Sequence, residues 1–303
     1  MSPTKITASQ IAEFLEASLL GIDRQVVAVA PIGDPAEGAL TFVLDPVKHV
    51  DATARALATG SVVLLPSWAQ IPEVANASMI VVDNPRAAYA AAAGAFFAPR
   101  VEPGIHPTAI VDTSAFVADS AHIGPYAIIG AGCSIGERVE IRAHVVLGRD
   151  VVIGEGSLIK SNAVIGEEGF GFDRDPDGNN IRLPHLGSVV LGKHTEVGCF
   201  TTVCSGTISP TRVGNYTKID DHVHIAHNVQ LGSNVTITGC AEISGSVVVG
   251  DGAWFGPNSS VLEGLTIGTN SVIGIGAVVR RSVPDEEVYF GNPARKLVIP
   301  REP

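Results

Sequence analysis

Ile123-Gly-Pro-Tyr-Ala-Ile-Ile129-Gly-Ala-Gly-Cys-Ser-Ile135-Gly-Glu-Arg-Val-Glu-Ile141 carries an aliphatic residue at every sixth position. An α-helix returns its apolar residues at three and four, and a half-buried strand at two, so a period of six is neither. It is the rhythm of very short strands joined by turns, each hexad forming one face of a three-sided coil. Working outward, the series starts at Ile105 and continues through Val111, Val117, Leu147 and Ile153 to Ile165. Four residues after each aliphatic stands a small or β-branched residue, among them Ala109, Ala127, Cys133, Val145 and Ala163. The register breaks after Ile165, resumes at Leu191, Val197 and Val203, slips around Ser209-Pro210, and holds again from Val213 to Val279. This predicts a mainly β chain with its aliphatics inward on every face. The glycines that follow many of them (Gly124, Gly130, Gly136) are expected to supply positive φ at the turns. The period leaves the hand of the coil open, and most parallel crossovers are right-handed.

Before residue 105 the pattern changes. Thr7 and Gln10 stand at capping-box spacing ahead of an amphipathic helix. Ser61-Val-Val-Leu-Leu-Pro and Ser78-Met-Ile-Val-Val-Asp read as buried strands, and Pro85 to Phe97 reads as an alanine-rich helix. The expected organisation is a small α/β domain over 1–100 and a β-helix over 101–283 with an insertion at 166–188. A tail over 284–303 follows.

Composition narrows the function. With 46% hydrophobic residues but only 5% aromatics and 33 glycines, the core must be filled by small and branched aliphatics. A net charge of −11 argues against a nucleic-acid partner, because phosphate backbones need a cationic surface. Met1 to Ala8 lacks a basic region followed by an apolar run, and no stretch reaches the roughly 18 apolar residues of a membrane helix. A cytoplasmic protein is expected. Cys133, Cys199, Cys204 and Cys240 show no metal-site spacing and are expected to be packing residues, with no metal bound.

The densest polar run in the repeat is Asp220-Asp-His-Val-His-Ile-Ala-His227-Asn-Val229. His227 falls at a turn, where an imidazole titrating near neutrality can take a proton from an attacking amine. One coil of 18 residues later the same corner carries Gly245, whose backbone N–H can donate to the oxyanion formed when a thioester is attacked. Asp220 or Asp221 is a candidate to orient an imidazole. His222, His224, Asn228 and also Asp220 are candidates to line the substrate cleft. Phe170 and Phe172, in a glycine-rich insertion, are expected on a substrate-facing loop.

These residues resemble the UDP-3-O-acylglucosamine N-acyltransferase family of lipid A synthesis. His224-Ile-Ala-His-Asn-Val is similar to the family's Gln-Ile-Ala-His-Asn-Val signature, Gly166-Glu-Glu-Gly-Phe-Gly-Phe to its glycine–phenylalanine loop, and Thr41-Phe42 with Pro46 to its uracil-stacking segment. The resemblance implies a left-handed β-helix, a homotrimer, His227 as general base, Gly245 as oxyanion donor, and Phe42, Asp45 and Lys48 at the nucleotide. Asp45 and Lys48 stand where the family has asparagine and tyrosine. No counterpart of the family's C-terminal helical extension is expected after the tail. The run Tyr289-Phe-Gly-Asn-Pro-Ala-Arg295 resembles the ending of coenzyme A-dependent sugar acetyltransferases, with Arg280 and Arg295 as donor-binding residues. The expectation is therefore an N-acyltransferase that uses acyl-CoA as co-substrate, without a tightly bound cofactor, on a nucleotide-linked amino sugar for surface polysaccharide or lipopolysaccharide. Alternatives are the lipid A enzyme itself with acyl carrier protein as donor, a zinc hydratase on the same helix, and a non-catalytic scaffold.

Overall fold

The computed structural model describes residues 6–70 and 76–297. The start of the segment read for a leader, up to Lys5, and the end of the tail, including Arg301, lie outside them. The chain divides into two compact units, Met1–Arg100 and Val101–Pro303.

In the first unit five strands form one sheet, in the order Ser18–Gly21, Ser78–Val82, Val62–Pro66, Ala39–Phe42, Ala28–Val29. The first pair is antiparallel and the rest are parallel. Val62–Pro66 is buried throughout, as a continuous apolar run in a strand covered on both faces must be. Val62 and Leu64 pack with Ile11 and Ala92 on one face, and Val63 and Leu65 with Ala56 and Leu57 on the other. Helix Ala8–Phe14 opens on the Thr7/Gln10 capping box. Helix Pro85–Phe96 opens on Asn84, whose side chain accepts from the Ala87 N–H.

The second unit is a left-handed parallel β-helix. Its three faces are sheets of 8, 11 and 9 strands, most of them two residues long. On one face the aliphatics stack in register, Leu147 on Ile165, Ile165 on Val203, Val203 on Ile225 and Ile225 on Ile243. All of these are buried, and each contributes on the order of 1.5–3 kcal/mol by leaving water. Ile105 departs from the expectation that every hexad aliphatic is buried. It begins the stack with a coil on one side only, and is 50% exposed.

The glycines also behave differently from expectation. Gly124, Gly130 and Gly136 are not in the left-handed region. They are small because the next coil presses on them: a Cβ at Gly130 would lie 2.5 Å from the Gly148 carbonyl oxygen. Positive φ falls two residues further on, at Tyr126, Gly132, Arg138, His144 and their successors around the prism. Ordinary side chains occupy that costly conformation at most corners, and several brace one another. Tyr126 stacks on His144, His194 on Tyr216, and Phe200 on His222, with ring centroids 4.9–5.2 Å apart.

The insertion leaves the helix after Val164–Glu168, forms a hairpin of Phe172–Arg174 with Asn180–Arg182, and rejoins at Val189–Leu191. Among the described residues no helix is long and apolar enough to cross a membrane.

Candidate active site around His227

His227 follows strand His224–Ile225 and is half-buried at the next corner. Its Nδ1 lies 3.0 Å from Asn228 Oδ1. The same oxygen is 3.3 Å from the Thr207 backbone N and 3.1 Å from Thr207 Oγ1. A backbone N–H can only donate, so this atom of Asn228 is the amide oxygen, and Nδ1 of His227 must carry the hydrogen that faces it. The tautomer is thereby set. Nε2 holds the lone pair, which is what a general base requires.

Asn228 is itself fixed. It sits at φ 63° and its N–H donates to Thr211 Oγ1 at 2.9 Å. Its oxygen is engaged by His227 and Thr207, so it holds the imidazole in place, and that oxygen is not free for the substrate contact expected from sequence.

Gly245 lies one coil on, where Ile243 pairs with Ile225 and Ser246 N–H donates to the His227 carbonyl at 2.9 Å. A Cβ at Gly245 would meet His227 Cε1 at 2.6 Å and Nε2 at 2.9 Å, so glycine lets the imidazole lie flat against the next coil. Among the described residues no group accepts from the Gly245 N–H. The structure therefore places an imidazole lone pair and a free backbone donor at one corner.

The other polar residues of the run are dispersed. Asp220 and Asp221 stand at the preceding edge of the prism and do not reach His227. The Asp221 carboxylate accepts from the Cys199 N–H at 2.7 Å, and Asp220 offers its carbonyl to Thr201 Oγ1 at 2.6 Å. The expectation that one of them orients the imidazole is corrected: Asn228 occupies that place. His222 is stacked on Phe200, and His224 Nδ1 is 2.7 Å from Thr202 Oγ1 on the outer face of its strand. The three histidines thus point to separate partners rather than converging on one centre.

Two residues at the site were not singled out from sequence. Gly169 of the insertion packs against His227, and a Cβ there would lie 3.0 Å from both Cβ and Cδ2 of His227. His185, on the return of the same insertion, sets its ring 5.3 Å from that of His227, edge-on at 66°. Gly169 lies in the glycine–phenylalanine loop and His185 in its return, Leu183-Pro-His-Leu-Gly187, both similar to family segments, but neither motif by itself points to His227. Phe170, 88% exposed, and Phe172 meet edge-on at 4.8 Å, and the Arg182 guanidinium lies over Phe172. Cys204 is buried and burial pushes its thiol up, as it does for Cys133, which suits packing and not nucleophilic attack.

In the first unit Phe42 meets Tyr89 at 4.9 Å, and both line an apolar cavity of about 530 Å³ with Val29, Thr41, Leu44 and His49. Asp45 and Lys48 serve each other. The Asp45 carboxylate accepts from the Lys48 and Val47 N–H groups, which hold it below the usual carboxylate range, and pairs with Lys48 Nζ at 3.7 Å. Neither lines the cavity. At the far end of the β-helix Arg280 and Arg295 share a cavity of about 460 Å³ with Arg281 and Lys296.

Residues 114–149, 132–167, 210–245 and 246–281 match the family described as bacterial transferase hexapeptide (six repeats). A UDP-3-O-acylglucosamine N-acyltransferase of Caulobacter sp. (strain K31) is 41% identical over 283 residues, covering 89% of this chain and 82% of that protein. The chain belongs to the UDP-3-O-acylglucosamine N-acyltransferase family. The enzyme of that name from Herminiimonas arsenicoxydans is 35% identical, covering 93% of this chain and 86% of its own length. Among solved structures, the UDP-N-acetylglucosamine O-acyltransferase of Moraxella catarrhalis superposes with a TM-score of 0.57 at 31% identity, over 64% of this chain and 73% of that one. Membership overturns the main expectation, an N-acyltransferase of another nucleotide-linked amino sugar for surface polysaccharide. Relatives covering most of the chain share the name of the alternative, the N-acyltransferase of lipid A synthesis with its 3-O-acylated acceptor. The short C-terminal resemblance that favoured coenzyme A covers far less of the chain.

Proposed function

We propose that the protein transfers an acyl group from the thioester of an acyl carrier protein to the 2-amine of UDP-3-O-acylglucosamine. The observation that carries this is the tautomer of His227, fixed by Asn228 and Thr207, which turns a basic Nε2 toward the same corner as the unengaged Gly245 N–H. In this reading the amine nitrogen attacks the thioester carbon while Nε2 of His227 takes its proton. The Gly245 N–H donates to the oxyanion. When the tetrahedral intermediate collapses, the C–S bond breaks and the imidazolium returns the proton to the leaving thiolate. The two protein groups are asked for different things, a proton and a dipole, and neither forms a covalent intermediate.

The uracil ring is assigned to the cavity at Phe42, with Tyr89 supporting the stacking face. Arg280 and Arg295 are the proposed landing point for the phosphate that tethers the donor's thioester arm, since guanidinium groups suit phosphate oxygens. The working unit is taken to be a homotrimer in the cytoplasm. Phe170 and Ile208, 88% and 85% exposed near the reacting corner, are apolar surfaces that a neighbouring copy would cover. The test is a mass-spectrometric screen of UDP-3-O-acylglucosamine and UDP-N-acetylglucosamine against carrier-bound and coenzyme A thioesters. Amide product from the 3-O-acylated acceptor and the carrier thioester is expected. Turnover only with other acceptors would overturn the reading.

A further inference from the structure

His185 is 2% exposed, and its Nδ1 lies 3.0 Å from the Leu183 carbonyl oxygen. A carbonyl only accepts, so Nδ1 carries the hydrogen and Nε2 holds a lone pair. That Nε2 is buried without a hydrogen-bond partner. An orphaned buried acceptor is costly, and native proteins rarely keep one without a use.

Its surroundings are specific. Nε2 of His185 and Cδ2 of His227 both lie 3.0 Å from the point that a Cβ on Gly169 would occupy. The absence of that Cβ is what lets the two rings approach. The segment is tied down by Arg149, whose Nη2 donates to the His185 carbonyl at 3.1 Å, and by Leu186 N–H donating to the Thr207 carbonyl at 2.8 Å. Thr207 is also the residue that fixes Asn228, so one small network holds both imidazoles.

We infer that His185 is a positioning residue for His227: a neutral imidazole whose free Nε2 presents the negative end of its dipole where His227 becomes positive during the reaction. The inference rests on the reading of His227 as the base. A fixed dipole in a dry site is worth more than the same dipole in water, and it costs no reorganisation when charge develops. The charged groups facing His185 are His227, Glu168, Arg182 and Arg149. Glu168 and Arg182 are paired with each other at 2.7 Å, and Arg149 reaches His185 only at its backbone carbonyl. Burial, then the neighbouring His227, push the His185 pKa down, against the opposing pull of the Leu183 carbonyl and Glu168. Both effects favour the neutral form of His185.

Three variants and a pH profile test this. His185→Leu removes the acceptor and should lower kcat by about tenfold or more, with the KM of both substrates changed less than about threefold. Without the dipole the imidazolium of His227 is less stable, so the acid limb of kcat/KM should move to lower pH. His185→Gln restores a neutral acceptor and should recover most of the lost rate and return the limb toward its original place. If the leucine variant does not fold, His185→Met is read by the same criteria, since methionine adapts to irregular cavities. An apolar variant with unchanged kcat and an unmoved limb overturns the inference, as does a glutamine variant no better than leucine. His227→Ala run alongside separates the two readings. If it keeps its turnover the base assignment fails, whereas its loss of turnover together with a normal leucine variant sinks only the role of His185.

Discussion

His227 was legible in the sequence because it lies in a polar run on a repeat that is otherwise aliphatic, one coil before a glycine at the same corner. The arrangement that supports its proposed role as base was not legible. Its orientation comes from Thr207, twenty residues upstream in a segment that departs from the hexad register, and from the amide of Asn228. His227→Ala should reduce kcat by about 10²–10⁴-fold, measured on protein whose circular dichroism is unchanged. Asn228→Asp keeps an acceptor toward Nδ1 but adds a negative charge beside the ring. A carboxylate favours the imidazolium and raises its pKa, so the acid limb of the rate profile should move to higher pH while the alkaline side is unaffected. Gly245→Ala is backbone-compatible, as Gly245 is not in the left-handed region, yet its methyl would meet Cε1 of His227 at 2.6 Å. Activity should fall on the order of 10²-fold, as displacing a reacting group by about 1 Å can do, with the melting temperature nearly retained. An active alanine variant would mean that the imidazole works from another position.

At the scale of elements, the hexads announced the β-helix because burying one aliphatic per face is a demand that every coil repeats. The role of the following glycines was not legible, because a sequence shows that a residue is small without showing why. Crowding by the next coil and a left-handed backbone both favour glycine, and only coordinates separate them. The distinction can be measured. Gly130→Ala should destabilise by about 1–3 kcal/mol, as overpacking does, because the contact is with rigid backbone at 2.5 Å. Gly276→Asn should cost less than about 1 kcal/mol, since a Cβ there meets open space, Asn tolerates the left-handed region and Asn162, Asn234 and Asn258 already adopt it at equivalent corners. Thermal unfolding midpoints of the two variants give the order. In the α/β unit, Phe42→Ala should weaken UDP-sugar binding by roughly tenfold or more in calorimetry, the loss of a stacking contact worth about 1–3 kcal/mol. Unchanged affinity would place the base elsewhere.

For the molecule as a whole, acid sensitivity should begin above the range in which carboxylates titrate. A histidine whose folded pKa is depressed below its unfolded value of 6.5 adds stability at pH well above 6.5. As pH falls through 6.5 the unfolded chain takes up a proton that the folded one resists, and that stability is lost. Asp45 and Asp112, held low in the folded state, lose theirs only further down, toward about pH 4. Melting temperatures between about pH 8 and 5 should therefore fall, and fall less in His185→Gln. An identical slope in that variant would assign the acid loss to other groups.

The insertion departs at the rung of Ile165, and His227 lies just past Ile225, two rungs along the same face. At roughly 4.8 Å per rung, Gly169 and His185 span a fixed height of about 10 Å to reach the imidazole. The insertion thus works as a caliper whose jaws are set by the number of coils between them. A solenoid can gain a whole coil by duplication wherever its neighbours repeat, and one added beyond Val261 would leave both jaws closed on the same rung. One added between Val203 and Ile225 would lift His227 out of reach while replacing the Val203–Ile225 stack with two equivalent ones. Length is counted by the insertion across those two rungs, and at the far end by the reach from the reacting corner to Arg280 and Arg295.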